Sequence, residues 1–260
     1  MQAKDIDAHL RRVGTWVDWE HSCDRFYAGD PAAEVTGIAV CWLSALGALQ
    51  QAHQAGCNLF VMHEPLFASE ADPEQHIGPD DPWVRKRRWL DQTGMVVYRC
   101  HDVWDDFPEV GIHGAWAKWL GFEGPPVASQ KWYEVHDVTG RTVGELARQI
   151  AARTAELGQG CVHFIGDLDR PASRIALGTG AITNYRVMHG MGADVLVLTD
   201  DGTRMWETAQ WARDSGATLL IVNHATAEEP GMRTLADYLA KQFSLPVKQI
   251  PVGCLYRTIK

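Results

Sequence analysis

The sequence predicts an α/β fold built as two α/β halves with largely parallel sheets, and three features carry that reading. A unit of glycine, β-rich run and polar residue recurs along the chain. Helix-like stretches fill the gaps between these units. The β-rich runs are apolar almost throughout, as strands buried on both faces are, rather than alternating.

The recurring unit appears four times. Gly56 leads through Cys57-Asn58-Leu59-Phe60-Val61-Met62 to His63. Gly94 leads through Met95 to Cys100 and then His101. Gly192 leads through Ala193 to Thr199 and Asp200, and Gly216 through Ala217 to Asn223 and His224. The glycine suits the left-handed turn that follows a helix. Two further strands are expected from Val35 to Leu43 and from Arg174 to Leu177. Helices are expected over Leu43–Ala55, Pro82–Gln92, His113–Leu120, Val143–Leu157, Asn184–Met191, Met205–Asp214 and Gly231–Gln242. The Gly- and Pro-rich stretch Gly121-Phe122-Glu123-Gly124-Pro125-Pro126 reads as a boundary, giving halves at 1–124 and 125–260, with the last helix and strand, about 230–260, returning to the first half. The segment from Phe67 to Pro82 reads equally as a loop placed to cover whatever binds near His63 and as a plain surface loop.

Composition narrows the function. The chain of 260 residues is 46% hydrophobic and 22% charged, which fits a folded protein rather than a disordered one. A net charge of -9 argues against a nucleic-acid binder, which needs a basic face. The one dense basic run, Arg85-Lys86-Arg87-Arg88, reads first as a solvated helix face and second as a phosphate site. Six cysteines lack CxxC spacing and read as small buried hydrophobes in a reducing compartment. No apolar run reaches membrane-spanning length, and the polar, acidic start carries no signal core, so a cytoplasmic protein without membrane association is expected.

The chemistry-bearing residues sit where the apolar runs end. In open α/β sheets, ligands collect beyond the carboxyl ends of the strands, so distant segments meet there. His63 is followed by Glu64, His101 precedes Asp105 by four residues, and His224 precedes Glu228 by four, with Glu229 adjacent. The other histidines, His9, His21, His53, His76, His136, His163 and His189, read as core or surface residues. Imidazole with carboxylate suits Zn, Mn, Fe, Co or Ni better than Ca or Mg. Six donors exceed one open tetrahedral site and suit two ions. On a helix, i, i+4 spacing would put both donors on one face. With His101 and His224 placed at strand ends, the spacing by itself fixes no geometry. Gly178-x-Gly180 lacks the third glycine of a dinucleotide fingerprint and reads as a structural turn.

Asn58 to Phe67, with His63-Glu64-Pro65-Leu66-Phe67 at its end, resembles the strand-HHPLF signature of the NIF3-like family (DUF34), whose members are named GTP cyclohydrolase 1 type 2-like. His101-Asp102-Val103-Trp104-Asp105 resembles its HTxxD segment, and Asn223-His224-Ala225-Thr226-Ala227-Glu228 its late GHxxxE segment. Gly29-Asp30-Pro31, Val35 to Ile38 and Gly178 to Ala181 fit in order. The resemblance implies a NIF3-like fold around a central metal cleft, two divalent ions per chain, and a ring-shaped homo-hexamer. It implies the ligands His63, Glu64, His101, Asp105, His224 and Glu228, with His101 ranked last as a direct ligand. Glu64 replaces the family's second histidine, which makes the donor set harder and more anionic. The departures Leu43-Ser44, Thr199-Asp200-Asp201 and His113-Gly114 point to a divergent member. The leading functional expectation is a metal-dependent hydrolase of a small molecule, a nucleotide or phosphoester, with Glu64, Asp102 or Glu229 moving protons. The alternative is a non-catalytic metal carrier, sensor or regulatory interaction protein.

Overall fold

In the computed structural model the described residues are 1–67, 78 and 80–259. They form two compact units. The first comprises Met1–Phe107 and Met232–Pro251, the second Pro108–Gly231 and Val252–Lys260. The stretch Gly121–Pro126 therefore lies inside the second unit. Most of the expected loop from Phe67 to Pro82 lies outside the described residues. Among the described residues, no helix is long and apolar enough to cross a membrane.

The first unit opens with a helix that the sequence reading passed over, α1 (Ala3–Val13). Its start is tied by the Asp5 carboxylate, which accepts from the Gln2 N–H at 2.8 Å. Ile6 and Leu10, one turn apart, are its buried stripe. The chain continues through β1 (Phe26–Ala28), β2 (Ile38–Cys41), α2 (Leu46–Gln54), β3 (Leu59–Met62), α3 (Pro82–Thr93), β4 (Val96–Arg99) and α4 (Asp102–Asp105), and returns with β11 (Val247–Gln249). The sheet order is β1-β4-β3-β2-β11. Only the β1/β4 pairing is antiparallel, and β11/β2, β2/β3 and β3/β4 are parallel. Every residue of β2 and β3 is buried, as their unbroken apolar runs required.

Parallel pairing has a positional consequence. Met62 pairs with Arg99, so β3 and β4 end side by side, and the residues that follow them leave from one edge. The Cys100 N–H donates to Met62 O at 2.8 Å and carries the ladder one residue further. His63 and His101 emerge just beyond it.

The second unit contains α5 (Ile112–Leu120), β5 (Ala128–Gln130), β6 (Tyr133–Thr142), α6 (Val143–Ala155), β7 (His163–Ile165), β8 (Pro171–Leu177), α7 (Tyr185–Gly190), β9 (Val195–Thr199), α8 (Met205–Ser215) and β10 (Thr218–Val222). Helix α9 (His224–Gln242) begins here, and from Met232 on its residues belong to the first unit. The sheet order is β5-β6-β8-β9-β10-β7. Its middle, β8-β9-β10, is parallel; β5/β6, β6/β8 and β10/β7 are antiparallel. Successive residues of β9 face opposite cores. Val195 and Val197 pack with Trp116, Leu120, Leu146 and Ile150, whereas Leu196 and Leu198 pack with Tyr185, Met188 and Ala212. Each such side chain stabilises the unit by about 1.5–3 kcal/mol relative to exposure.

The four glycines that open the recurring units, Gly56, Gly94, Gly192 and Gly216, have φ of 81°, 64°, 90° and 72°. This is the left-handed region the pattern called for. The last helix differs from its expected start at Gly231. It begins at His224 and carries Pro230 inside it. Proline removes one N–H but does not prevent the preceding turn from forming.

Candidate metal centre

In the first unit, the donors gather around His63. The His63 ring is fully buried, and its Nδ1 faces Cys100 O at 3.1 Å. A carbonyl only accepts, so Nδ1 carries the proton and Nε2 presents its lone pair. That Nε2 lies 3.4 Å from Asp105 Oδ1. The His101 ring stacks on His63, with centroids 4.4 Å apart and an interplanar angle of 18°. His101 Nδ1 lies 3.5 Å from Asp105 Oδ2. His63, Glu64 and His101 each bring one donor atom to within 4.8 Å of the other two. The sequence left the His101–Asp105 spacing without a fixed geometry. The structure supplies one: His101 caps α4 and Asp105 ends it, so one short helical turn sets their separation.

Asp24, which the sequence reading did not single out, holds this turn in place. Its Oδ1 accepts from the N–H groups of His101 (2.7 Å) and Asp102 (3.0 Å), and its Oδ2 from Val103 N–H (2.9 Å). These are orphan donors of the start of α4. Burial nevertheless raises the Asp24 carboxyl above its usual range, against the pull of those N–H groups.

In the second unit, His224 and Glu228 form the donor pair. His224 is the first residue of α9, and the i, i+4 spacing puts Glu228 on the same face. His224 Nε2 lies 3.0 Å from Glu228 Oε1, and Nδ1 lies 2.7 Å from Asp201 Oδ2. Burial lowers the His224 pKa, but Asp201 and Glu228 outweigh it and bring it up to about 11. Asp200 Oδ1 accepts from His224 N–H at 2.9 Å and fixes the helix start. The glycine-rich turn after β8 comes close: a Cβ on Gly180 would stand 3.3 Å from Glu228 Oε1 and 3.5 Å from His224 Nε2, at a φ of +74°. Glycine suits this left-handed conformation, and a Cβ here would press on the Glu228 carboxylate. Glu229 is turned away to backbone, accepting from Val252 and Gly253 N–H at 3.0 and 3.1 Å.

Asp102 is held by Ser22 Oγ at 2.8 Å and Cys23 N–H at 3.0 Å, both on Oδ2. Its Oδ1 lies 3.0 Å from His101 Nδ1. That bond to His101 is the largest influence holding Asp102 well below the usual carboxylate range, against the opposing effect of burial. Burial and His63 push His101 down, but its bonds to Asp102 and Cys23, with the charge of Asp105, raise it to about 10.

The basic run departs from its expected solvated face. Lys86 is buried and donates to Ser44 O (3.1 Å) and Leu66 O, with its ammonium 4.6 Å from the centre of the Phe67 ring. It therefore anchors the segment that follows His63. Burial, then the charge of Arg87, lowers its pKa to about 8. Arg85 and Arg88 are exposed, as the solvated reading had them.

Donor spacing is a simple measure of fit to a transition ion. Two ligand atoms about 2.1 Å from a tetrahedral ion lie about 3.4 Å apart. The His63–Asp105 and His101–Asp105 pairs, at 3.4 and 3.5 Å, match that spacing, whereas the His224–Glu228 pair, at 3.0 Å, stands at hydrogen-bond distance.

The model of the Duf34/NIF3 (NGG1p interacting factor 3) family matches residues 8–253. The chain belongs to the Duf34/NIF3 family. Within it, a Pseudomonas aeruginosa protein named GTP cyclohydrolase 1 type 2 homolog is 26% identical over 204 residues, 76% of each chain. The fold matches the crystal structure of a Staphylococcus aureus hypothetical protein at a TM-score of 0.82 and 19% identity, covering 100% of this chain and 99% of that one. A Bacillus cereus protein related to NIF3 matches at a TM-score of 0.79 and 13% identity, with the same coverage. The mixed α/β architecture with two sheets is thus that of the NIF3 structures.

Proposed function

We propose that this Duf34/NIF3 protein binds two divalent transition-metal ions, of Zn, Mn, Fe, Co or Ni, through His63, Glu64, His101, Asp105, His224 and Glu228, and hydrolyses a small anionic substrate. The observation that carries this reading is the pairing, in both units, of a carboxylate with an imidazole whose other nitrogen is fixed by an acceptor. Cys100 O fixes His63, and Asp201 fixes His224. Such an arrangement turns the other nitrogen, Nε2, toward Asp105 in the first unit and toward Glu228 in the second, where an ion would be shared between imidazole and carboxylate. The name of the Pseudomonas aeruginosa relative makes GTP and other nucleotides the first substrates to try, followed by phosphoesters. A homo-hexamer is the proposed assembly, on the family resemblance alone.

When bound, divalent ions acidify a coordinated water and polarise a carbonyl, a ring carbon or a phosphoryl group. The chain's own residues do the rest. Asp105 and Glu228 balance cationic charge beside the imidazoles. Glu64, half-buried, is the candidate proton carrier of the first unit. Asp102 and Glu229, the other candidates, are occupied by bonds within the protein. Lys86 holds Leu66 and so the segment leading from Glu64.

The test is metal analysis of purified protein followed by a hydrolysis screen. Close to two ions per chain are expected at these six donors, with at least one lost in His63→Ala or Glu228→Ala. A wild-type protein that stays metal-free after incubation with all five metals would overturn the binding reading. Two bound ions with no turnover of any nucleotide or phosphoester would favour a carrier or sensor.

A further inference from the structure

We propose that Cys23, His101 and Asp102 form a further cation site in the first unit, one suited to a thiophilic divalent ion such as zinc. All three side chains lie within the first unit, and each offers a donor atom within 4.8 Å of the other two. Cys23 Sγ lies 3.6 Å from Asp102 Oδ1, and the same oxygen lies 3.0 Å from His101 Nδ1. For zinc–sulfur bonds of about 2.3 Å and zinc–nitrogen or –oxygen bonds of about 2.0–2.1 Å, neighbouring donors stand about 3.3–3.6 Å apart. The sulfur–oxygen separation already meets that spacing, and the nitrogen–oxygen separation is a few tenths of an ångström short of it.

The bonding of Asp102 supplies an independent argument. Its Oδ2 is fixed by Ser22 Oγ and by Cys23 N–H, which orients the carboxylate and leaves Oδ1 toward the thiol and the imidazole. A ligating carboxylate is typically held in this way by its non-ligating oxygen. Asp24, next in sequence, is engaged mainly with three backbone N–H groups, and its Oδ1 stands 3.9 Å from Cys23 Sγ, further than Asp102 Oδ1 at 3.6 Å. Cys23 and His101 are both partly accessible, so a cation can enter. The donor set differs from that around His63 in kind. Sulfur is soft and favours zinc or another thiophilic ion, whereas Glu64 and Asp105 make the neighbouring group hard. His101 stands in both groups, and it lies nearer to Asp102 than to Asp105, at 3.0 against 3.5 Å. Both distances are from the same nitrogen, Nδ1, so His101 serves one ion at a time; when it serves the cysteine site, His63, Glu64 and Asp105 remain for the neighbouring ion. On binding, the Cys23 S–H bond breaks, its proton leaves to solvent and a sulfur–metal bond forms.

The proposal touches the two-ion reading only through His101, and one experiment separates them. Metal-stripped full-length protein is titrated with Co(II), and the sulfur-to-cobalt charge-transfer absorption in the near ultraviolet is recorded. The wild type is expected to develop this band and to saturate it at one cobalt per chain. Cys23→Ser should lose the band and one equivalent of cobalt, and Cys23→Ala should do the same. Asp102→Asn should weaken cobalt binding at the band roughly 10-fold or more. The double variant His63→Ala, Glu228→Ala should keep the band while losing other bound cobalt. A wild type without the band, or a band that persists in Cys23→Ser, overturns the site. A band lost equally in the double variant puts the thiol on the His63 group and overturns a separate site. If the double variant loses no cobalt while Cys23→Ser loses the band, the two-ion reading fails and this one stands.

Discussion

At the scale of single residues, the candidate centre is built with groups that orient its proposed donors. His224 shows this most directly. Its Nδ1 is 2.7 Å from Asp201, its Nε2 is 3.0 Å from Glu228, and its main-chain N–H is taken by Asp200. Replacing Asp201 with asparagine keeps the shape and removes the charge that makes the imidazole a stronger ligand. Asp201→Asn is expected to weaken ion binding at His224–Glu228 by about 10- to 100-fold, measured by competition with a calibrated chelator. Unchanged affinity would mean that Asp201 plays no part in holding the ion. His63, Glu64, His101, Asp105, His224 and Glu228 were legible in the sequence because each imidazole has a carboxylate within four positions. Asp24 was not, because the N–H groups it holds lie 77 to 79 positions further along. Asp201 stood out as a departure from the family pattern, but its bond to a histidine 23 positions away had no local signal.

At the scale of elements, the strands with unbroken apolar runs were legible; β2, β3, β9 and β10 all take part in parallel pairings and have no exposed residue among them. Strand β6 was missed because Tyr133–Thr142 mixes buried with exposed positions and carries Gly140. The short strands β1, β5 and β7 offer three residues each, too few for periodicity to register. Helix α3 was placed correctly, yet the character of its basic run was not, since charge alone does not reveal that Lys86 points inward. That burial has a measurable signature. Lys86 has its folded pKa lowered from 10.5 to about 8. Between these values the unfolded chain binds the proton that the folded chain has lost, so stability rises with pH across that window. The cost of the buried charge is present below about pH 8 and is relieved by pH 10.5. By the usual conversion this is about 3 kcal/mol at most. Lys86→Met removes the rise and also leaves the carbonyls of Ser44 and Leu66 without their donor, at about 1–3 kcal/mol. Denaturant unfolding at several pH values should show wild-type stability gaining on the variant as pH increases from 8 to 10.5. Parallel profiles would show that Lys86 does not titrate in that range.

At the scale of the whole molecule, the donors crowd carboxylates together in a chain that already carries a net charge of -9. Asp24, Asp102 and Asp105 lie in the first unit beside Glu64, and Asp200, Asp201 and Glu228 lie in the second. On the proposed reading, divalent ions would neutralise such crowding only where the folded chain brings the donors together, so their binding would stabilise the folded state. At an ion concentration 100 times the dissociation constant, one site contributes about 2.7 kcal/mol. For a protein of this size that corresponds to a rise in Tm of roughly 5–10 °C per ion. Chelation of the loaded wild type should therefore lower Tm by at least that much, and restoring the ion should reverse it. Most of the chelator effect should be absent from the His63→Ala, Glu228→Ala double variant, whose Tm should start near the chelated value. Calcium added in place of zinc or manganese should give little recovery, because imidazole donors do not suit it. Scanning calorimetry in chelator, zinc, manganese and calcium checks all of these at once. A wild-type Tm indifferent to chelation would show that the donors form their close contacts as an ordinary polar cluster, in which imidazolium groups, rather than ions, balance the carboxylates. The raised His101 and His224 pKa values, to about 10 and about 11, describe that metal-free balance, and it is the state from which an entering ion has to displace protons.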